Sequence, residues 1–496
     1  MKNKFNYYDE FVNEAINTVK KTNASKKQKA EIVLLSNVSE ESYTVPAVKK
    51  ECDSRGIPFY VIDINTATLT ILKNGGLLLA DKENSVKIDS DYTAILTRRG
   101  IVRNTRTRDL VERLEDLNFF VVNTLQSTLN CENKWVTAKI LENSGIQTPR
   151  TALINGEDSI DGAVKKIGGK FPVILKMLSG SHGIGVSVIE SEASLKSVLQ
   201  TLWKVDADIE TLIQEKIDSD YDLRIHVLTR KFNSPKPSED DSVVLGFMRR
   251  NKIDKDFRTN VSLGGKAEKV KITPEQSQMA IDAARAVGCN WAGVDIIVDK
   301  KSKQNYVLEV NSSPGTQGLK DATGIDVVKN IIDYFTDKSN WIRSRKVIGF
   351  REVVQVPGIG EFVAKFDTGN GAISCSMTYD KMEVSDNKKT VEWSINGKHF
   401  TSKVVGISNA EVGPNVHERP IIEMDVVFLG KRYKNVLVSL VDRTDKSTKF
   451  LVNRKFMEIL GVSINPYKTF TCSSFDGEYN PREAKGNNHM GIKFEK

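Results

Sequence analysis

Histidine is scarce in this 496-residue chain, with only five residues, and proline numbers thirteen. The histidines, His182, His226, His399, His417 and His489, show no HExxH and no paired-ligand spacing, which argues against a zinc centre. Cysteine is equally sparse. Cys52, Cys131, Cys289, Cys375 and Cys472 are scattered, odd in number and free of CxxC pairs. They read as free thiols in a reducing compartment, not as a disulfide framework. No stretch approaches the ~18 apolar residues a membrane-spanning helix needs. The start, MKNKFNYYDEFVNEAINTVKKTNASKKQKAE, lacks the continuous apolar core of a signal peptide. The expectation is a cytoplasmic protein with no membrane partner. Zinc-finger spacing and RNP-type aromatic motifs are missing too, so nothing points to nucleic acid. No internal repeat is present.

What is there is an ordinary soluble composition, 27% charged and 39% hydrophobic, with a formal net charge of +8. The positive balance favours anionic ligands such as nucleotides or acidic peptides. The length suggests roughly three to four domains. The Lys-rich KKTNASKKQK closes a mobile basic segment, 1–29, that leads into the first strand.

AEIVLLS, a helical stretch and IPFYVIDI make a βαβ pattern; YTAILT, TRDLVERLEDLNF and FVVN extend it. Residues 30–128 therefore read as an open α/β domain. From NCENKWVTAKILENSGI, read as one helix ending at Gly145, strands and helices run in mixed order to 337. That order fits an α+β layout on an antiparallel sheet. Ser191 is a candidate helix cap, and Thr273 or Ser277 lies near the start of the helix TPEQSQMAIDAARAVGC. Residues 338–346 read as a linker, 347–475 as a β-rich domain with turns every 8–12 residues, and 476–496 as a polar tail.

Three features carry chemistry. GSHGIGV, residues 180–186, places Gly180, Ser181, Gly183 and Gly185 between two strand-like runs, FPVILKML and VSVIES. Glycine there lets backbone approach a ligand closely, most often phosphate. Lys176 interrupts the strand just before that loop. A lone strand lysine can reach solvent at a sheet edge, but beside a glycine loop it suits phosphate. Glu309 and Asn311 lie two apart on a strand and share a face, with Asp295 able to sit opposite on the preceding strand. Two carboxylates and an amide oxygen suit Mg²⁺, which also takes water and substrate phosphate oxygens. DFRTNVSLGG supplies Arg258, Thr259 and Asn260, with Arg249 and Arg250 upstream; clustered arginines can neutralise a triphosphate or an acyl phosphate.

A glycine loop on a hairpin, a lysine before it, an Arg/Asn segment and a terminal Asp…Glu-x-Asn set resemble the ATP-grasp pattern. The run from NKWVTAKILENSGIQTPRT to TGIDVVKNIIDYF is similar to RimK-type ATP-grasp ligases, over about residues 30–336. The resemblance implies a pre-ATP-grasp α/β domain (30–128) followed by an ATP-grasp domain (129–337). It implies ATP and Mg²⁺, with Mn²⁺ as an alternative. Lys176 matches the phosphate-binding lysine and Lys134 a second one; Glu215 and Lys216 match the adenine hinge and Asp222 a nucleotide-site acid. Arg258, Thr259 and Asn260 match the acyl-phosphate segment, with Arg258 and Asn260 in catalytic roles; Asp295, Glu309 and Asn311 match the metal ligands. The implied reaction phosphorylates a carboxylate and lets an amine attack the acyl phosphate, under a closed glycine flap. L-Glutamate is the implied donor, and a protein, peptide or small-molecule carboxylate the acceptor. NVSLGG departs from relatives that carry a basic pair before the glycines, and the loop KFNSPKPSEDD is longer.

EFVAKFDTGNGAISCSM holds Asp367-Thr368-Gly369 after an apolar strand. A DTG triplet alone is also an ordinary turn. With RPIIEMDVVFLG, KFLVNRKFM and NPYKTF, it resembles the RimB-like, retropepsin-related peptidase domains, also described as ATP-dependent zinc protease-like, over about 346–470. Asn370 departs from the small residue usual after DTG. The overall expectation is an α+β protein with an appended all-β retropepsin-like barrel. Only one DTG occurs, so catalysis by Asp367 would need a second copy of the chain, at least a homodimer. Two further readings stay open: an ATP-regulated aspartic peptidase, and a ligase whose β-domain docks acidic peptides without cutting them.

Overall fold

The structure is a computed structural model that describes residues 30–40, 43–73, 76–178, 185–232, 238, 240–252, 266–341, 346–412, 415–444 and 446–474. The basic segment 1–29, the residues Gly180, Ser181 and Gly183, the segment with Arg258, Thr259 and Asn260, and the tail 476–496 lie outside the described residues. The chain divides into two compact units, Met1–Ser344 and Arg345–Lys496.

The apolar run EIVLLS forms β1 (Glu31–Ser36), buried at five of its six positions. A run buried on both faces belongs in a parallel sheet. Helix α1 (Thr44–Arg55) leads to β2 (Phe59–Asp63), parallel to β1. A small antiparallel meander follows, β3 (Thr68–Ile71), β4 (Leu77–Ala80) and β5 (Ser85–Ile88). Strand β6 (Thr93–Thr97), helix α2 (Thr105–Asp116) and β7 (Phe120–Val122) complete a parallel sheet of order β2-β1-β6-β7.

The stretch read as one helix to Gly145 is two, α3 (Leu125–Glu132) and α4 (Lys134–Asn143). Asn133 breaks it: its backbone is extended, and its side chain accepts from Trp135 N (3.0 Å) and Val136 N (3.1 Å), capping α4. An asparagine cap competes with helix continuation in this way.

Two antiparallel sheets follow. The first holds β8 (Thr151–Ile154), β9 (Val173–Met177), β10 (Val186–Ile189) and β11 (Thr211–Glu215), in order β10-β9-β11-β8. Helices α5 (Ile160–Lys166) and α6 (Glu192–Val205) share its core; Ser191 caps α6 by accepting from Ser194 N. The second has order β14-β13-β12-β15-β16, from β12 (Tyr221–Thr229), β13 (Ser242–Asn251), β14 (Lys266–Glu268), β15 (Trp291–Val298) and β16 (Asn305–Asn311). Helix α7 (Pro274–Val287), boxed at its start by Thr273 and Gln276, covers one face. Leu223, Ile225, Val227, Ala292, Val294 and Ile296 bury against its alanines. The opposite face carries the charged residues of the site.

After β16 the chain forms α8 (Gln317–Thr323) and α9 (Val328–Thr336). Ile331, Ile332 and Phe335 of α9 share a core with Ile32, Leu34 and Phe120 of the parallel sheet. Asn123 fastens the same junction. Its amide nitrogen donates to Trp291 O and Ser312 O (both 2.6 Å), and its amide oxygen accepts from Asn290 N and Trp291 N. Part of the stretch read as linker also belongs here, because Trp341 stacks on Phe120 at 5.4 Å. Burying an indole there outweighs the local polar composition.

The second unit runs through β17 (Lys346–Gly349), β18 (Arg351–Val356), β19 (Gly360–Phe366) and β20 (Cys375–Met377). A three-stranded sheet follows, β21 (Lys381–Val384), β22 (Thr390–Ile395) and β23 (Lys398–Lys403). Then come β24 (Gly406–Val412), β25 (Asn415–Phe428), β26 (Lys431–Leu440) and β27 (Phe450–Val452). The main sheet has order β18-β19-β27-β20-β26-β25-β24, and the pairing Gln355↔Val427 joins β18 to β25, closing a six-stranded ring. The unit is not all-β. Helix α10 (Arg454–Leu460), capped by Asn453 and ended by left-handed Gly461, buries Phe456, Met457 and Leu460 before β28 (Val462–Asn465).

Candidate active site

The site is built on the charged face of the second antiparallel sheet. Register pairs Asp295 of β15 with Glu309 of β16, and Gly293 with Asn311. A bulge follows: Ile296 pairs with Val307, leaving Leu308 between them. Strict alternation would put residues 307 and 309 on one face. The bulge separates them, so Val307 enters the core under α7 while Glu309 joins Asp295 on the open face.

Asp295 is 2% exposed and carries two arginines. Arg224, directly opposite on β12, binds it through Nε and through Nη2 (2.7 Å). Arg250 of β13 reaches it diagonally at 2.8 Å while forking onto Asp222 at 2.6 and 2.7 Å. Burial alone would raise the Asp295 carboxyl, but the two guanidiniums outweigh it and hold it well below the usual range. Glu309 goes the other way. Burial, then the charge of Asp295, raise its carboxyl, opposed by Arg224 and Lys176. Its side chain is 43% exposed, and Asn311 Nδ2 donates to it at 3.1 Å.

Two lysines feel the same carboxylate. Lys176, on β9, donates to Gln214 Oε1 at 2.8 Å, and burial lowers it to about 8 against the pull of Glu309. Lys134, the first residue of α4, donates to Leu178 O at 3.3 Å; burial lowers it too, again opposed by Glu309. At the strand turn above, Gly185 has φ +78°, and a Cβ there would come within 2.9 Å of the Met177 sulfur.

Glu215 ends β11 with its carboxylate taken by Arg150, from N (2.9 Å) and Nε (2.8 Å). Its side chain is thus engaged, while Lys216 beside it is half-buried. Asp222 is 3% exposed and both its oxygens accept from Arg250. Arg249 stacks on Tyr221 (4.0 Å) and donates to Asn251, so neither upstream arginine stands free as a phosphate arm. Sequence reasoning missed Arg224. The signal was its spacing two residues after Asp222 on a strand, which puts both on one face.

Among the described residues no three His, Cys, Asp or Glu side chains gather as a metal cage. The donor set fits a hard cation that completes its shell with water and phosphate oxygens. Glu309 and Asn311 offer oxygens, and the raised Glu309 carboxyl gains from a neighbouring positive charge. His226 lies between Gly246 and Gly293 in register, wholly buried with neither ring nitrogen hydrogen-bonded. Burial and Arg224 lower it to about 3, so it is neutral, and among the described residues no metal ligand is grouped with it.

In the second unit Asp367 follows β19. Its Oδ1 accepts from Gly369 N (3.1 Å) and its Oδ2 from Lys365 Nζ (3.3 Å). β27 inserts between β19 and β20, so the DTG segment that joins those two strands passes the end of β27, where Asn453 Nδ2 holds Ala372 O at 2.6 Å. Arg443 donates to Thr448 O and Ser376 Oγ; burial and Arg419 lower it, and Asp367 opposes that.

Residues 131–335 match the RimK-like ATP-grasp domain. A Picosynechococcus protein named "Probable alpha-L-glutamate ligase" is 35% identical over 246 residues, covering 49% of this chain and 76% of that protein. One of the same name from Haemophilus influenzae is 32% identical over 298 residues, covering 59% and 93%. Among solved structures, the ATP-grasp ligase PsnB complexed with minimal precursor has 19% identity and a TM-score of 0.46, covering 62% of this chain and 98% of that one. The second unit lies beyond the matched domain.

Proposed function

The chain belongs to the RimK-like ATP-grasp family, and from that premise we propose that it adds L-glutamate to a carboxyl terminus of a protein or peptide, as the names of its relatives suggest. It is a ligase that forms an amide bond with ATP. The observation that carries the ATP-dependent reading is the facing pair Asp295 and Glu309, with Asn311 beside it and Lys176 and Lys134 within its field; glutamate as the donor rests on the likeness to proteins of that name.

Glu309 and Asn311, with Asp295 pinned behind them, would hold Mg²⁺ or Mn²⁺. When bound, the cation would offset charge on the phosphate oxygens. Lys176 and Lys134 add positive charge to the same region and orient the phosphates. Glu215 and Lys216 would meet adenine through backbone groups, since the Glu215 carboxylate is held by Arg150. The acceptor carboxylate takes the terminal phosphoryl group, releasing ADP. The glutamate amine then attacks the acyl carbon, the C–O bond to phosphate breaks, and the amine loses a proton. Arg258 and Asn260, outside the described residues, remain the proposed partners of the acyl phosphate.

For the second unit the proposal is processing of the same acidic product, with Asp367 as the reacting acid supplied by two copies of the chain. The Lys365 partner of Asp367 and the nearby Arg443 support a second reading, in which this unit holds acidic peptides without cutting them.

The test is ADP release with ATP, Mg²⁺ and each amino acid in turn, with and without acidic peptides, followed by intact mass. Glutamate-dependent turnover with products rising by glutamyl units supports the ligase reading. Turnover with another amino acid alone rejects glutamate as donor. Glutamyl products that are consumed by wild type and vanish more slowly with Asp367→Asn support processing; equal rates reject it.

A further inference from the structure

We propose that Cys131 and Cys289 form a reversible disulfide that ties α3 to the turn between α7 and β15 and weakens nucleotide binding through Lys134. The bond itself is independent of the ligase reading; its effect on nucleotide rests on that reading.

The two thiols are 158 positions apart in sequence, yet their sulfurs lie 3.4 Å from each other. Cys289 is fully buried and Cys131 half-buried. No other thiol has this arrangement: Cys375 contacts Asn453, Cys472 contacts Thr471, and Cys52 is buried alone in α1. The elements around the pair are already fastened. Asn130 Nδ2 donates to Val287 O (3.1 Å), and the Cβ a residue at 288 would carry meets Ser127 at 3.7 Å. A disulfide needs about 2.05 Å between sulfurs, so closure asks for a movement of little more than an ångström.

That movement has somewhere to go. Cys131 precedes Asn133, whose side chain caps α4, and Thr137 Oγ1 reaches back to Asn130 O at 2.6 Å. Lys134 opens α4 in between, and its Nζ is held at Leu178 O next to the glycine loop. Helix α3 packs against β16, the strand that carries Glu309, which places the pair beside the site and not in a remote core. The hydrogen bond to Cys289, then burial, push the Cys131 thiol up. The Cys131 sulfur is therefore protonated at neutral pH, and its attack on an oxidant is slow and quickens as pH rises.

The oxidant is a peroxide. The Cys131 sulfur, on the less buried of the two residues, attacks one peroxide oxygen, the O–O bond breaks, and a sulfenic acid and water result. The Cys289 sulfur then attacks the sulfenic sulfur. The S–S bond forms, the S–O bond breaks, and hydroxide takes the Cys289 proton to leave as water. Each sulfur loses one electron and the peroxide gains two; a dithiol reductant reverses the step.

The full chain is treated with hydrogen peroxide, digested without reductant and mapped by mass, and ATP affinity is measured by calorimetry before and after. We expect a peptide linking Cys131 to Cys289, lighter by two hydrogens than its parts. ATP affinity should fall on the order of tenfold, as for a displaced positioning group. Dithiothreitol should restore it, and Cys131→Ala and Cys289→Ala should not respond. Separate oxidation of the two sulfurs, or a linked peptide with unchanged ATP affinity, overturns the proposal. Failure of the reduced protein to bind ATP rejects the ligase reading and the nucleotide half of this one, while the linked peptide alone decides the bond.

Discussion

Asp295 and Glu309 face each other across one register pair, yet their surroundings drive them to opposite protonation preferences. Two guanidiniums hold Asp295 ionised. Glu309 has only the weaker opposing pull of Arg224 and Lys176, with Arg224 Nη2 at 3.9 Å. A bound cation would change Glu309 most. Glu309→Gln keeps the shape and removes the charge. Amide formation should fall on the order of 10²–10³-fold, as when a group that stabilises developing charge is removed. ADP release across a Mg²⁺ titration checks this, and an unchanged rate would move the metal site elsewhere.

Lys176 offers a pH test. Its folded value is about 8, against an ordinary 10.5. Between those values the unfolded chain holds a proton the folded chain has released. The group's contribution to stability is therefore least favourable below about pH 8 and improves as pH rises through the window. The charge that would meet phosphate is lost over the same range. ATP affinity should fall as pH rises from about 8 to about 9.5, and Lys176→Arg should abolish that fall because arginine stays charged. Calorimetric titrations at several pH values read it directly. A wild-type affinity that stays flat would mean that Lys176 holds the same number of protons in free and bound protein, and would reject it as a phosphate contact whose charge is lost in this range.

The strands of the site were legible in the sequence because their apolar runs are long and their turn residues clear, and Asp295 opposite Glu309 followed from a hairpin. The bulge at Leu308 was not legible, since period-2 reasoning treats 307 and 309 alike; only packing under α7 separates them. The break at Asn133 was masked by good helix formers on both sides. Arg250 read as a phosphate arm because sequence shows its neighbours in the chain, whereas its partners Asp222 and Asp295 come from two other strands. Asp367 could be read as the end of a strand, but the Lys365 contact depends on side-chain placement that no motif encodes.

The Asp222–Arg250–Asp295–Arg224 chain predicts a large asymmetry between single and double changes. Asp222→Ala leaves a buried guanidinium, 4% exposed, short of its forked partner. Breaking one side of a buried pair costs about 3–5 kcal/mol, whereas replacing both sides with apolar residues can be near neutral. Asp222→Leu with Arg250→Met should therefore unfold at a higher urea concentration than Asp222→Ala alone. The double variant should still lose ligase turnover, because Asp295 then has one arginine where it had two. Equal midpoints for the two proteins would show that the network carries no such penalty.

In the second unit the strongest local test is Glu352, a carboxylate with no exposed surface. It gathers the chain after β28. Gly349 N, Thr471 N and Thr471 Oγ1 each donate to it at 2.8 Å, and Cys472 N and Ser473 Oγ also donate. Removing the acceptor leaves buried N–H groups unpaired, each costing about 1–3 kcal/mol. Glu352→Ala should free residues 469–473 from β18 and expose the Lys468–Thr469 bond to trypsin at protease levels that leave the wild type intact. Glu352→Gln is the discriminating variant. It keeps one acceptor oxygen but presents an NH₂ to the Cys472 N–H, so its cleavage rate should fall between the other two. Cleavage at Lys468 no faster in Glu352→Ala than in wild type would mean that the segment is held by Phe470 N on Arg351 O and Val353 N on Ser473 Oγ instead, at 2.8 Å each.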